Sequence, residues 1–259
     1  MNRFLAGTCA LAFVLLGFGS AKATDEFKGF YVGGYAGGAK GNSNAFTSTV
    51  FSPTGYFAQS SIPAIAAAGN QPLSPRGFNG GGQVGYNLQH GHWVVGVEAE
   101  FGSMRVSDDF VSTALYPCCA PTNFSIKQTV KTSYLFTARP RIGIASGPVM
   151  VYGTGGIAMT NFDYSENFID TFATAHESAS TSSKLTGWTG GGGVEFKVGG
   201  GGHWSVKAEY LFADFGSGVK TTSTNLTAFT PPIAFPTNIF THQADLTQNL
   251  FRTGINFRF

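Results

Sequence analysis

Nine charged side chains fall inside runs of alternating polarity: Glu98, Glu100, Arg139, Arg141, Glu195, Lys207, Glu209, Arg252 and Arg258. In each run they share a parity with small or polar residues, while the other parity is apolar. Charges collected on one face of a narrow structure lie close together and partly dry, and buried charge is tolerable only when paired. Two uses follow. The set can form a salt-bridged plug or constriction, or it can line a pore and tune its selectivity. Glu98 and Glu100 are expected beside Arg139 and Arg141, and Glu195 beside Lys207 and Glu209. Cys118 and Cys119 are the other reactive pair. Neighbouring Cα atoms stand ~3.8 Å apart, below the ~4.4–6.8 Å usual for a disulfide. A vicinal bridge, two free thiols and a metal or redox site all remain open. His90, His92 and His203 sit at short turns and read as solvated imidazoles. The run from Gly153 to Ala158 fits G-x-G-x-x-A but lacks a following helix, so it reads as strand rather than a dinucleotide loop. No catalytic set, metal or cofactor is expected.

The elements that must position these residues are strands. Successive strand side chains point to opposite faces. Clean alternation covers residues 83–89, 93–102, 136–144, 188–197, 204–212 and 251–259. Two further strands, 30–39 and 149–161, are blurred by Gly and Tyr, and their facing is left open. That makes eight. Short connections at 90–92, 146–148 and 199–202 alternate with long ones at 40–77, 106–126, 163–183 and 216–242. A compact soluble domain rarely carries several structureless loops beyond ~12–15 residues. A transmembrane β-barrel has that asymmetry, with strands of ~9–11 residues. The predicted fold class is all-β: an eight-stranded antiparallel transmembrane β-barrel with long extracellular loops and short periplasmic turns. Trp93, Trp188 and Trp204 are expected beside the short turns as an interfacial girdle. In such a barrel the apolar face meets lipid and the charged face lines the lumen.

Composition agrees. Of 259 residues, 36 are Gly and 25 are Phe, and only 12% are charged. Coiled coils and disordered chains look different. Arg3, an apolar stretch over residues 4–18 and the small-x-small site at Ala21 and Ala23 read as a signal peptide over residues 1–23, cleaved before Thr24. The barrel domain is then 24–259, with no periplasmic domain expected after it. Removing Arg3 and Lys22 leaves 14 cationic residues against 14 acidic ones. A neutral chain has no basic face for nucleic acid.

The residues Gly29-Phe30-Tyr31-Val32-Gly33-Gly34, Gly96-Val97-Glu98-Ala99-Glu100, Arg139-Pro140-Arg141-Ile142-Gly143, Tyr152-Gly153-Thr154-Gly155-Gly156, Gly193-Val194-Glu195-Phe196 and Lys207-Ala208-Glu209-Tyr210 together resemble one family. It is the small outer-membrane β-barrels of Gram-negative bacteria, related to the OmpA transmembrane domain and most similar to the 25/31 kDa surface-antigen, "porin family" type. The resemblance implies export through the periplasm to the outer membrane and contact with its lipid. It implies that the barrel-assembly machinery reads the C-terminal strand, with Phe251, Ile255, Phe257 and Phe259 as its signal. It also implies a structural or surface role, with an extracellular ligand or host surface met through the loops; a small pore or carrier is the alternative. Pro140 departs from the family's small residue there and removes a ladder donor, so a bulge or a weak pairing is expected. The loops hold Phe46, Phe51, Tyr56, Phe57, Phe229, Phe235 and Phe240, either as an interaction patch or as a rigid crown. His176-Glu177-Ser178 resembles the His-x-Ser of outer-membrane lipid A deacylases, but in a predicted loop it reads as loop.

Overall fold

The computed structural model describes residues 26–199 and 202–259. The signal segment with Ala21 and Ala23 lies outside the described residues. Along the chain run β1 (Gly29–Thr49), α1 (Ser61–Ala68), β2 (Asn70–Leu73), β3 (Arg76–His90), β4 (Trp93–Leu115), β5 (Asn123–Lys131), β6 (Tyr134–Ser146), β7 (Val149–Asp170) and β8 (His176–Val198). Then follow β9 (Trp204–Asp214), β10 (Val219–Ser223), β11 (Thr227–Ala228), β12 (Ile233–Ala234), β13 (Phe240–Ala244) and β14 (Thr247–Arg258). The antiparallel ladder β1-β3-β4-β6-β7-β8-β9-β14 returns to β1, where Tyr31 faces Arg258 and Asn42 faces Thr247. Eight staves close with no edge, which satisfies every crossing backbone group inside the protein.

The long connections are largely built structure rather than loop. β1, β4, β7 and β8 run on well past the barrel's apolar band. Across from them, β2 leads into β3, β5 into β6, β9 into β10 and β13 into β14, so each of those four staves is a strand broken once. Thus β4 pairs with β5 above and with β6 below, and β1 pairs with β13 above and β14 below. His176 and Ser178, expected in a loop, lie instead on the strand β8. They face outward, with Glu177 between them turned inward.

Each break leaves backbone groups without a ladder partner, and an Asp or Asn side chain takes them up. Asp108 accepts from Ser74 N at 2.7 Å, Asn161 from Ser133 N at 2.8 Å, Asp214 from Gly216 N at 2.8 Å and Asp245 from Asn44 N at 2.5 Å. Each non-proline residue carries a backbone donor that seeks an acceptor once its ladder partner is lost.

The hydrophobic pattern inverts at the same level. Below it, β4 points Val95, Val97 and Phe101 outward and Glu98 and Glu100 inward; above it, Arg105 and Ser107 point outward and Met104 and Val106 inward. β14 switches likewise between outward Phe251 and Asn249, and between inward Arg252 and Leu250. A barrel wall in lipid is apolar outside, whereas one in water is apolar inside. The expected polar lumen therefore holds only in the lower tier. The upper interior is an apolar core of Met104, Val106, Val130, Leu135, Phe162, Leu185, Leu211 and Leu250, capped by Phe57, Ile65, Tyr116, Phe124, Phe168 and Phe240.

Pro140 produces the weaker of its two expected effects. The β6–β7 register is the same on either side of it, from Ala138 opposite Ile157 to Arg141 opposite Thr154, and only the pairing between is lost. Thr154 Oγ1 donates to the Pro140 carbonyl at 2.8 Å in its place. The strands left unassigned also resolve: Tyr31 and Tyr35 of β1 and Met150 and Tyr152 of β7 point inward.

The aromatic cap holds the upper tier together. Phe168→Ala should cost that tier about 3–5 kcal/mol. In limited proteolysis of refolded protein, the wild-type upper segments should resist and the variant's should be cut, while the lower barrel survives.

Candidate functional site

All nine predicted charges converge in the lower lumen. Their side chains are at most 1% exposed, apart from 4% for Arg258. Arg139 reaches Glu98 at 2.9 Å, Glu100 at 2.7 Å and Glu209 at 3.4 Å. Arg252 reaches Glu100 at 2.6 Å and Glu209 at 2.5 Å. Lys207 lies 3.0 Å from Glu98 and 3.5 Å from Glu100. Glu195 binds Arg141 at 3.2 Å and Arg258 at 3.3 Å.

Partner choice departs from strand adjacency. Glu98 does pair with Arg139 directly opposite it. Glu195 and Lys207 are also cross-strand neighbours, yet each bonds elsewhere: Lys207 across the lumen to β4, Glu195 to β6 and β14. Inward strand residues in a closed barrel meet side chains from every wall, so the lumen rather than the ladder selects the pairs.

Sequence reasoning missed the tyrosines. Tyr31 Oη donates to Glu98 at 2.7 Å and Tyr152 Oη to Glu209 at 2.9 Å. Arg141 lies 4.6 Å from the Tyr31 ring centroid and Arg252 lies 4.4 Å from that of Tyr35. Rings over guanidinium planes supply cation–π contact where no further acid fits. Inner-face glycines make the room. A Cβ at Gly85 would run into the Tyr31 hydroxyl, and one at Gly193 into the Tyr152 hydroxyl. The readable signal was tyrosine and glycine alternating at strand period.

A second buried polar cluster lies in the upper tier, between its two apolar layers. Glu166, Glu177 and His242 each bring one donor atom within 4.8 Å of the others. Thr47 Oγ1 lies 3.1 Å from His242 Nδ1 and receives Gln128 Nε2 at 2.8 Å; Ser223 Oγ lies 3.1 Å from His242 Nε2. Burial, with Glu177 alongside, pushes the Glu166 carboxyl up to about 11. Glu177 is held below the usual range despite its burial, by His242, Glu166 and Ser223. None of these roles was legible, because Glu166 and Glu177 come from one long connection and His242 from another.

At the top, Asp170 ties the connections together. It accepts from Tyr56 Oη at 2.6 Å and Tyr116 Oη at 2.9 Å, and from Ala175 N at 2.8 Å. Burial, then Asp170, drives both hydroxyls well above the normal phenol range. The loop aromatics divide. Phe57 and Phe240 are buried and Tyr56 and Phe235 pack against them, whereas Phe46, Phe51 and Phe229 remain exposed. Cys118 and Cys119 are joined as a vicinal disulfide in the tight turn between β4 and β5. His90, His92 and His203 sit at the lower turns, with His92 Nδ1 at 2.9 Å from the Ala145 carbonyl and His203 Nδ1 at 2.8 Å from that of Arg258.

Trp93 and Trp204 lie at the turn end of the band as expected, and Trp188 does not. It faces Asp214 and Ile157, ten residues up β8 from Val198. Strands of ~9–11 residues cross the apolar layer, so Trp188 marks its opposite boundary. Phe251, Ile255, Phe257 and Phe259 project on the outer face of the last strand. There Phe257 packs on Trp204 at 5.0 Å and Phe259 on Phe30 at 5.7 Å.

Two outcomes follow. Arg252→Met takes one partner from each of Glu100 and Glu209 and should cost about 3–5 kcal/mol, read as a lowered guanidinium unfolding midpoint in micelles. Glu166 has a folded-state pKa above its unfolded one. Its contribution is therefore fully present below an unfolded pKa of ~4.3 and is lost as pH rises toward 11. Glu166→Gln should raise the thermal midpoint at pH 8 and leave it nearly unchanged at pH 4.

The family model for the outer membrane protein beta-barrel domain matches residues 9–259. The 31 kDa outer-membrane immunogenic proteins of Brucella melitensis and Brucella suis are each 32% identical over 151 residues, 58% of this chain. The chain thus spans 58% of the length of the curated relatives it matches. Among solved structures, the attachment invasion locus protein Ail of Yersinia pestis overlaps 86% of this chain and 99% of its own at 15% identity and a TM-score of 0.30. OprG of Pseudomonas aeruginosa overlaps 90% and 97% at 11% identity and a TM-score of 0.43. These two overlaps are loose and bear on no functional reading. The family match extends over both tiers and all eight staves, and the chain accordingly belongs to the outer-membrane β-barrel family and resides in the outer membrane.

Proposed function

We propose that this protein is a closed barrel whose lower tier is an anchor and whose upper tier is a rigid extracellular platform. Its role is structural and interactive: envelope integrity, and contact with a ligand or host surface through the platform. The observation that carries this reading is the charge layer. Arg139, Lys207 and Arg252 span the lumen to Glu98, Glu100 and Glu209 with almost no exposed side-chain surface. An ion crossing there must break several charge-assisted bonds at once, each shorter and about twice as strong as a neutral one. The upper apolar core lies directly over this layer and adds a dry seal.

The working surface is the top of the platform. Tyr56 is ringed by Phe172 at 6.3 Å, Phe229 at 6.2 Å and Phe235 at 5.4 Å, and Phe172 and Phe229 stay exposed. Exposed aromatic patches on an ordered frame mark interaction sites. The reading is non-enzymatic. His176 and Ser178 face outward while Glu177 turns inward, so that stretch does not gather base, nucleophile and acid in one place. Domain 24–259 acts as one barrel unit after cleavage at Ala23, and Phe259 with Phe251, Ile255 and Phe257 addresses it to the assembly machinery.

Planar-bilayer recording of refolded protein tests the reading, with folding verified by heat-modifiable migration in gels. Silence at both voltage signs is expected. Discrete steps that change with Glu98→Gln or Arg141→Gln would overturn the plug and make the chain a small pore with those charges as its filter.

A further inference from the structure

At the level where the wall changes from apolar to polar outside, the register lines up one row across six strands. Asn249, Lys40, Arg76, Ser107, Lys131 and Asp163 are successive cross-strand partners on β14, β1, β3, β4, β5 and β7. Arg105 sits just below, opposite Phe78. Lys40, Arg76, Arg105 and Lys131 are all exposed on the outer face. Among the described residues none of these four cationic groups forms a salt bridge or a side-chain hydrogen bond.

That placement is unfavourable in isolation. Lys40 and Arg76 are directly opposite, and like charges so placed destabilise a sheet. Beneath them Phe78, Phe101 and Tyr134 face outward, with the Phe101 and Tyr134 ring centroids 6.0 Å apart, within the packing range of aromatic pairs. A low-dielectric medium on that side strengthens the repulsion. Higher on the outer wall, Lys127 is paired with Asp109 at 3.3 Å. The lipid boundary is where headgroup phosphates lie, and clustered Lys and Arg at that depth attract them. Arginine adds a planar fork that matches a phosphate's oxygens.

We propose that Lys40, Arg76, Arg105 and Lys131 form a binding site for the phosphate groups of a phosphorylated glycolipid in the outer leaflet. The site rests on the outer-membrane placement of the tier boundary and is independent of whether the lumen conducts. It covers only the β1–β5 side of the barrel. Toward β7 and β9 the same level carries Asp163 and Asp214 with a single cation, Lys184 on β8, so the cationic cluster, and with it the bound lipid, favours one face of the barrel.

The test uses the full chain refolded in neutral detergent micelles. Diphosphorylated lipid A is titrated and retained lipid is counted by native mass spectrometry, with the thermal midpoint followed in parallel. Lipid A should bind about tenfold more tightly than its dephosphorylated form, a preference that weakens as salt rises. The combined variant Lys40→Gln, Arg76→Gln, Arg105→Gln and Lys131→Gln should lose the preference while keeping heat-modifiable migration. Lys127→Gln with Lys220→Gln, two cations higher on the wall, should keep it. Should the four-fold variant fail to fold, Arg76→Gln and Arg105→Gln singly must each weaken the preference. Equal binding of the dephosphorylated lipid overturns the proposal, as does a preference that survives in the variants. Stabilisation reproduced by inorganic phosphate alone, or equally by phosphatidylglycerol, also overturns it.

Discussion

Backbone amides that cross lipid have no water to bond, so each must find its partner within the protein. For a chain of strands the solution is closure, and the ladder from β1 around to β14 and back achieves it. Closure with eight staves leaves an interior only wide enough for side chains. The rest of the lower tier follows from that narrowness. The inner face must be small where a large group crosses, hence glycine opposite tyrosine, and whatever charge enters must be matched inside.

The charge layer meets that demand by sharing. Glu100 serves Arg139, Arg252 and Lys207, and Glu209 serves Arg139 and Arg252. Removing one member of such a group leaves the others desolvated and unpaired, which is the costly arrangement. Tyrosine hydroxyls take remaining carboxylate oxygens and tyrosine rings cover guanidinium faces. The layer is best described as one object with members from β1, β4, β6, β7, β8, β9 and β14, rather than as a list of pairs.

Above the lipid the same eight staves obey the opposite rule. Outside is now water, so the inner face can be apolar, and the staves enclose a core of the kind found in soluble proteins. Four staves break at this level, with Asp and Asn side chains taking the freed amides. The breaks, the inversion of polarity and the row of outward cations coincide in height because all three answer to one boundary between media.

Much of this was legible in the residues. Period-two alternation, scarce charge and abundant glycine specify strands with one apolar face. The parity of Glu98, Arg139 and Lys207 against Val97, Ile142 and Val206 determines which side chains go inward together. Side-chain direction along a strand is a local property, so sequence alone carries it. The long connections were not legible, because their inward residues are apolar and their outward residues polar, a phase that local reading takes for loop. Trp188 was misplaced for a related reason: the position of a residue along the membrane normal depends on where the strand begins. Which acid bonds which base, and which loop residues meet as Glu166, Glu177 and His242, was decided only by the tertiary structure. The contacts of Lys207 with β4, of Arg252 with β4 and of His242 with the β7–β8 pair join strands far apart in the chain, and closure of the barrel brings them within reach.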